Sequence, residues 1–312
     1  MDGVSQALAD HSVLVTGATG FVGRSVLAGL LQFGAKPVGW VRSPPVPNLD
    51  PRIGFAKVDL VKDELDPLLQ AMKPAAIIHC AGCTFAEETQ AGKAHLFQSN
   101  LTATIRLISA VSRLPNPVRL VVVSSAAIWA PMTEGQAAID ETHPIRPVAS
   151  YGVSKAAATV FALAEASLKD LDLAVAVPFN VIGPGQPSRL VPQVMIDQLR
   201  ADAAKITVTA GAVRDWVDVR DVAAALIALC VRNGPRGLFN IASGRGVEVA
   251  DLLAALCRIG GWQPFVHPAQ CNTTSTLRRS IGDPRRLMAA TGWAPNYTLE
   301  ESLTDMILGA HP

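Results

Sequence analysis

Long apolar runs are missing from this chain. No stretch of its 312 residues approaches the roughly 18 uninterrupted apolar residues that suggest a membrane span, although 49% of the chain is apolar. A soluble protein without a membrane partner is expected. Blocks of like charge are missing too: 27 basic against 26 acidic residues leave no electrostatic footprint for nucleic acid. That balance favours a small-molecule partner. The opening MDGVSQALADH lacks a basic segment followed by an apolar one, so no secretory signal is expected. Cysteines number only five, an odd count spread over a long chain, which argues against a disulfide framework and for reduced thiols in the cytoplasm. Cys80 and Cys83 form a CxxC pair, but no second pair or His cluster completes a zinc site; they read as buried and loop thiols, and no metal is expected. Only two tyrosines occur, one of them in ASYGVSKAAATVFALAE, residues 149 to 165.

What is present is alternation. HSVLVTG, FVGRSVLAGLLQFG, KPVGWV, PAAIIHCAG, a long helical pattern near residues 93 to 113 and VRLVVVSS alternate strand-like with helix-like segments. This predicts an α/β fold whose parallel sheet carries helices on both faces, with runs such as VVV and AII buried on both sides. After LAVAVPFNVIGPGQP the alternation loosens, and shorter helices are expected near 189 to 203, 220 to 232 and 247 to 259. Residues 1 to 178 are therefore expected to form the main domain, and 179 to 312 a smaller lobe with some segments returning to the core. The Pro-rich RSPPVPN reads as a surface loop.

Gly17, Gly20 and Gly23 lie between a buried strand and an apolar-periodic helix in VLVTGATGFVGRSVLAGLL. A tight strand-to-helix turn lets the backbone approach a pyrophosphate, and the helix N-terminus adds unpaired N–H groups and partial positive charge. The GxxGxxG spacing resembles the short-chain dehydrogenase/reductase family, particularly its extended branch of NAD-dependent epimerases and dehydratases. The resemblance implies a Rossmann-type doubly wound sheet, a nicotinamide cofactor and a smaller C-terminal substrate-binding lobe. The strand that should end in an acid for the ribose 2′-OH ends VGWVRSPP instead. Arg42 and Ser43 there suit a 2′-phosphate, so NADP(H) is expected over NAD(H). Asp59 resembles the carboxylate that meets the adenine amino group, and Ala81 and Gly82 match the loop lining the cofactor. His79 reads as a satisfied core histidine. The full expected cofactor set is Gly17, Thr19, Gly20, Phe21, Val22, Gly23, Arg42, Ser43, Asp59, Leu60, Ala81, Gly82, Ser124, Tyr151, Lys155 and Pro178.

In YGVSK, Tyr151 and Lys155 stand four residues apart, on one face of a helix. A free phenol near pKa 10 is a poor base at neutral pH, and a nearby ammonium lowers that value. VVVSSAAIWA resembles the family's Ser-Ser-x-x-Val-Tyr-Gly segment; aligned on its last three positions, it makes Ser125 the catalytic hydroxyl and leaves Ser124 beside the cofactor. Trp129 replaces the usual tyrosine, as a packing aromatic or a substrate wall. Asn100, in QSNLTAT, matches the helix Asn that shapes the active-site end, and completes the expected catalytic set of Ser125, Tyr151, Lys155 and Asn100. Members that dehydrate sugars carry Asp-Glu directly after the catalytic hydroxyl. Ala126 and Ala127 stand there, so dehydratase chemistry is not expected.

PFNVIGPGQPSRLVPQV, RDWVDVRDVAAAL, GLFNIASGRGVEVADLLAAL and GDPRRLMAATGWAP resemble the C-terminal half of members acting on nucleotide sugars, closest in pattern to GDP-4-keto-6-deoxymannose reductases. The resemblance spans about residues 12 to 305. It implies that Thr84, Ser125, Ala126, Trp129, Asn180, Arg189 and Arg214 meet the substrate, the guanidinium groups suiting a diphosphate. Arg189 reads alternatively as a solvated helix residue, and Arg214 with Asp215 as a structural ion pair. Asp218 and Asp221 are expected to cap or orient the next helix. Val177 and Thr273 stand where the family usually has arginines, which leaves a smaller polyol, cyclitol or hydroxy-ketone as an alternative substrate. The expected activity is NADP(H)-dependent reduction of a ketone, or oxidation of the alcohol, on a sugar-like or nucleotide-sugar substrate. The alternatives are a nucleotide-sugar epimerase retaining its cofactor and a non-catalytic NADP(H)-binding regulator. A homodimer pairing the helices near 93 to 113 and 151 to 169 is expected from the resemblance.

Overall fold

A computed structural model of the chain describes residues 2–43, 50–87, 89–201, 205–209, 211–263, 265–269 and 278–309. Residues 44 to 48 of the expected Pro-rich loop and Thr273 lie outside this set. After α1 (Asp2–Leu8) come β1 (Ser12–Thr16), α2 (Phe21–Gln32), β2 (Lys36–Val41), β3 (Gly54–Lys57), α3 (Leu65–Met72), β4 (Ala76–His79), α4 (Gln90–Phe97), α5 (Ala103–Val111), β5 (Arg119–Val123), α6 (Ser150–Leu168) and β6 (Leu173–Pro178). Then follow β7 (Asn180–Ile182), α7 (Val191–Arg200), β8 (Lys205–Thr209), β9 (Val213–Asp218), α8 (Val219–Leu229), β10 (Gly237–Ile241), β11 (Gly246–Glu248), α9 (Val249–Gly260), β12 (Phe265–Ala269), β13 (Arg279–Ser280), α10 (Arg285–Thr291) and α11 (Leu299–Leu308).

Seven parallel strands form the central sheet in the order β10-β6-β5-β4-β1-β2-β3, the doubly wound Rossmann-like arrangement expected from the alternation. Side chains of the inner strands go alternately to two cores. Val13 and Val15 pack with α2 and α8, whereas Leu14, Ile77 and Leu120 pack with α5 and α6 on the other face. Two-sided burial is why these strands read as apolar runs rather than alternations. β10 and α8 come from the second half of the chain yet belong to this sheet and its core. A third apolar cluster joins Ile196, Leu199, Leu252, Leu256, Leu303 and Met306 from α7, α9 and α11, beside a small sheet around β9.

The long helical pattern near residues 93 to 113 is two helices joined by a π turn at Gln98–Thr102 with Asn100 inside it. One extra residue per turn re-aims the side chain at that point, a device that recurs at functional sites. α6 approaches the turn after β5 very closely: a Cβ on Gly152 would lie 2.4 Å from the Ala127 carbonyl oxygen. Only glycine permits that approach, which brings the first turn of α6 against Ser125.

Candidate active site

The chain reverses its strand order between β4 and β1, and the crevice at that switch lies beyond the C-terminal ends of the strands. The glycine turn borders it. Gly17 adopts φ +65°, and a Cβ there would lie 2.7 Å from the Ala81 backbone, so the turn can press against the loop after β4 only as glycine. α2 begins at Gly20, which offers no side-chain cap, and its first turn holds no acid. The first amides of α2 are thus left for an outside acceptor, the arrangement a pyrophosphate requires.

Two cavities meet at this turn and share Gly17, Gly20, Cys80 and Gly82. One, of about 300 Å³, is lined by Thr19, Arg42, Ser43, Asp59, Leu60 and Ala81. The other, of about 370 Å³, runs past Phe21, Val22 and Gly23 to Ser124, Ser125, Tyr151, Lys155 and Pro178. Together they suit the two halves of a dinucleotide: Arg42 and Ser43 flank the adenosine side, where Asp59 also takes the Val61 N–H at 2.9 Å. A roomier cavity of about 850 Å³ between Leu8, Leu69, Pro117 and Cys230 lies at the N-terminal ends of the strands, the opposite end from ligand crevices in such sheets.

Of the two serines after β5, Ser125 is the one whose hydroxyl acts on the Tyr151 phenol, and both side chains line the larger cavity. Ser124 is buried and paired with Thr159 at 2.6 Å between hydroxyl oxygens. Burial holds the Tyr151 phenol above its ordinary value, and the bond from Ser125 opposes that rise. Lys155 is expected to lower Tyr151, and it is not among the groups that shift the phenol here. The Lys155 ammonium instead donates to the Val123 carbonyl at 2.6 Å, and burial pulls it down to about 8. The Tyr151 phenol is therefore protonated at neutral pH. His79 is a core residue as expected, 1% exposed and bonded to Thr16 and Thr104, with burial pushing it down to about 3.

Asn100 lines the larger cavity and also ties its neighbouring loop in place. Its Oδ1 accepts from the Cys83 N–H at 2.7 Å, while its Nδ2 donates to the Cys83 carbonyl and the Ser154 hydroxyl, both at 2.9 Å. These bonds hold the Gly82–Cys83 loop against α6.

Thr84 and Arg189 meet across the mouth of the larger cavity, the guanidinium donating to Thr84 Oγ1 at 3.3 Å, and Asn180 lines the wall with its Nδ2 on the Asp215 carbonyl at 3.1 Å. Three expected substrate contacts do not join them. Trp129 is 2% exposed, its indole N–H donates to Asn240 Oδ1 at 3.2 Å, and its ring meets His143 edge-on; it is a packing aromatic, not a substrate wall. Ala126 opens a short 3₁₀ turn and packs on the core. Arg214, on β9, donates to the Val213 and Arg278 carbonyls outside the cavity wall. Among the described residues Asp215 shows no ion pair: its buried carboxylate accepts from Ser243, Gly244 and Gly282. Asp218 caps α8 through the Arg220 N–H, and Asp221 takes the Asn296 and Tyr297 amides. Val177 is wholly buried in β6. Residues without an expected role also line the larger cavity: Cys80, Cys83, Gln186 and Trp216. GPGQ and RDW were visible as motifs, but nothing in either marks which side chain turns inward.

Comparison with known proteins places this geometry in context. The model of the NAD dependent epimerase/dehydratase family matches residues 13–242. GDP-6-deoxy-D-mannose reductase of Pseudomonas aeruginosa is 30% identical over 93% of this chain and 94% of that protein. The UDP-glucose 4-epimerase of Thermus thermophilus, solved with NAD, superposes with a TM-score of 0.85 at 27% identity, covering 96% of this chain and 98% of that one. RMD from Pseudomonas aeruginosa, solved with NADPH, gives 0.80 at 27% identity over 96% and 98% of the two chains.

Proposed function

The chain belongs to the NAD dependent epimerase/dehydratase family, and on that premise we propose that it is an NADP(H)-dependent oxidoreductase acting on a ketone or alcohol of a nucleotide sugar or similar sugar. One observation carries the reading: Ser125, Tyr151 and Lys155 line one cavity that adjoins the glycine turn. When bound, the nicotinamide supplies or accepts a hydride. Gly17, Gly20 and the first turn of α2 hold the pyrophosphate, with Arg42 and Ser43 on the 2′-phosphate. Ser125 orients the substrate oxygen and Tyr151, kept protonated by burial, gives it a proton in reduction. Lys155 holds the ribose hydroxyls, Thr84 and Asn180 contact the substrate, and Arg189 at the mouth takes the diphosphate. Elements after residue 178 other than β10, α8 and α10 form the substrate lobe.

Epimerisation is the second reading, supported by the likeness to UDP-glucose 4-epimerase. The Ala126–Ala127 turn puts no carboxylate directly after Ser125, which weighs against 4,6-dehydration. A homodimer through α4, α5 and α6 is supported by Val153 and Val160, which α6 leaves exposed. The free thiols Cys80, Cys83, Cys230 and Cys257 suit the cytoplasm. The deciding experiment is cofactor titration followed by an NADPH-oxidation screen over 4-keto nucleotide sugars and simple hydroxy-ketones. Stoichiometric NADPH consumption supports the reductase. Tight cofactor with interconversion of sugars and no net consumption supports the epimerase and overturns the first reading.

A further inference from the structure

Among the described residues three buried side-chain atoms lack a hydrogen-bond partner, and one of them, Glu165 Oε2, is ion-paired with Lys169 at 2.7 Å. The other two, Gln186 Oε1 and Trp216 Nε1, belong to residues in the wall of the cavity that holds Ser125 and Tyr151. A buried donor or acceptor without a partner costs the fold its full desolvation, so such atoms call for a partner from outside the chain.

The orientation of Gln186 is determined by its neighbour. Its Nε2 faces the Val181 carbonyl at 3.4 Å, and reversing the amide would set two oxygens against each other. Oε1 is therefore the unmatched atom, and Gln186 is only 7% exposed. Val181 pairs with Val217 beside the Asn180–Trp216 pair, so Gln186, in the loop after β7, is tied to the strand that runs alongside Trp216. One offers only an acceptor, the other only a donor. A hydroxyl is the simple group that satisfies both. Among the described residues no carboxylate lines this cavity, and Pro187, Leu190, Val191 and Pro192, which also line it, are apolar.

The geometry points to Gln186 and Trp216 as specificity-determining residues for a hydroxyl of the sugar ring, Gln186 Oε1 accepting its proton and Trp216 Nε1 donating to its oxygen. The inference rests on the nucleotide-sugar reading above. A ring lacking that hydroxyl leaves both atoms unmatched and is rejected.

The test is calorimetric titration of the NADP⁺-loaded protein with UDP-glucose, GDP-mannose, UDP and GDP. Gln186→Met and Trp216→Phe, each checked by thermal melting, are expected to weaken the bound sugar nucleotide about tenfold and the bare diphosphate less than about twofold. Equal loss for sugar nucleotide and diphosphate overturns the inference, because the groups then serve the nucleotide. Unchanged affinity for both also overturns it, because internal water then satisfies the two atoms. Either result leaves the nucleotide-sugar reading standing. If the parent binds none of the four probes, that reading fails, and this inference with it.

Discussion

Asn100 grips both sides of one residue, Cys83, accepting from its N–H at 2.7 Å and donating to its carbonyl at 2.9 Å. Its second amide proton goes to Ser154, whose hydroxyl donates to the Tyr151 carbonyl at 2.7 Å. The loop beside the crevice is thereby tied to the helix turn that carries Tyr151. Asn100→Ala is expected to cost about 2–3 kcal/mol by leaving buried partners unmatched, seen as a lower melting temperature. Turnover of NADPH falls with it; a variant that melts lower but turns over like the parent shows that the tie does not position Tyr151.

Tyr151→Phe removes the proton donor while keeping the ring. The expected loss is about 10²- to 10⁴-fold in turnover, with NADPH affinity held near that of the parent. Parent-like turnover would sink the proposed mechanism.

Arg42→Ala tests the cofactor preference. Loss of a charge-assisted contact to the 2′-phosphate should weaken NADPH about tenfold or more and leave NADH unaffected. An unchanged ratio of the two affinities, read from fluorescence titration, removes Arg42 from that role.

Lys155 makes stability depend on pH in a direction set by its burial, which lowers the folded value from 10.5 to about 8. Between those values the unfolded chain binds a proton that the folded chain releases, so stability rises with pH across that window. Below about 8 both states are protonated and the charged group's desolvation is borne in full. In cofactor-free melts the parent should therefore gain on Lys155→Met as pH rises from about 8 towards 10.5. A flat or reversed difference contradicts the placement of this ammonium.

Trp129→Phe separates packing from recognition. Losing the bond to Asn240 and part of the ring should cost about 1–3 kcal/mol of stability. The KM for substrate should not move, since the residue faces the core; a raised KM would return Trp129 to the cavity wall.

The glycine turn, the inner strands and the Tyr151–Lys155 pair were legible in the residues because each depends on neighbours within a turn or two of chain. Period, spacing and the absence of an acid after β2 are local properties. The edge strand β3 and the β8–β12 pair have no such signature, being short and defined by their partners. The return of β10 to the main sheet depends on its pairing with β6, which lies far back along the chain.

The same division runs through the site. Amino-acid order settled that this is a doubly wound α/β chain with a pyrophosphate turn and with a phenol and an amine on one helical face, since backbone geometry enforces those from nearest neighbours. Which serine meets Tyr151, that Trp129 turns inward, that Lys155 faces the Val123 carbonyl rather than tuning the phenol, and that Gln186 and Trp216 share a cavity were decided by packing between distant segments. At Gly152 the reason is plain: without a side chain the helix closes on the Ala127 carbonyl, and that approach carries Tyr151 to Ser125.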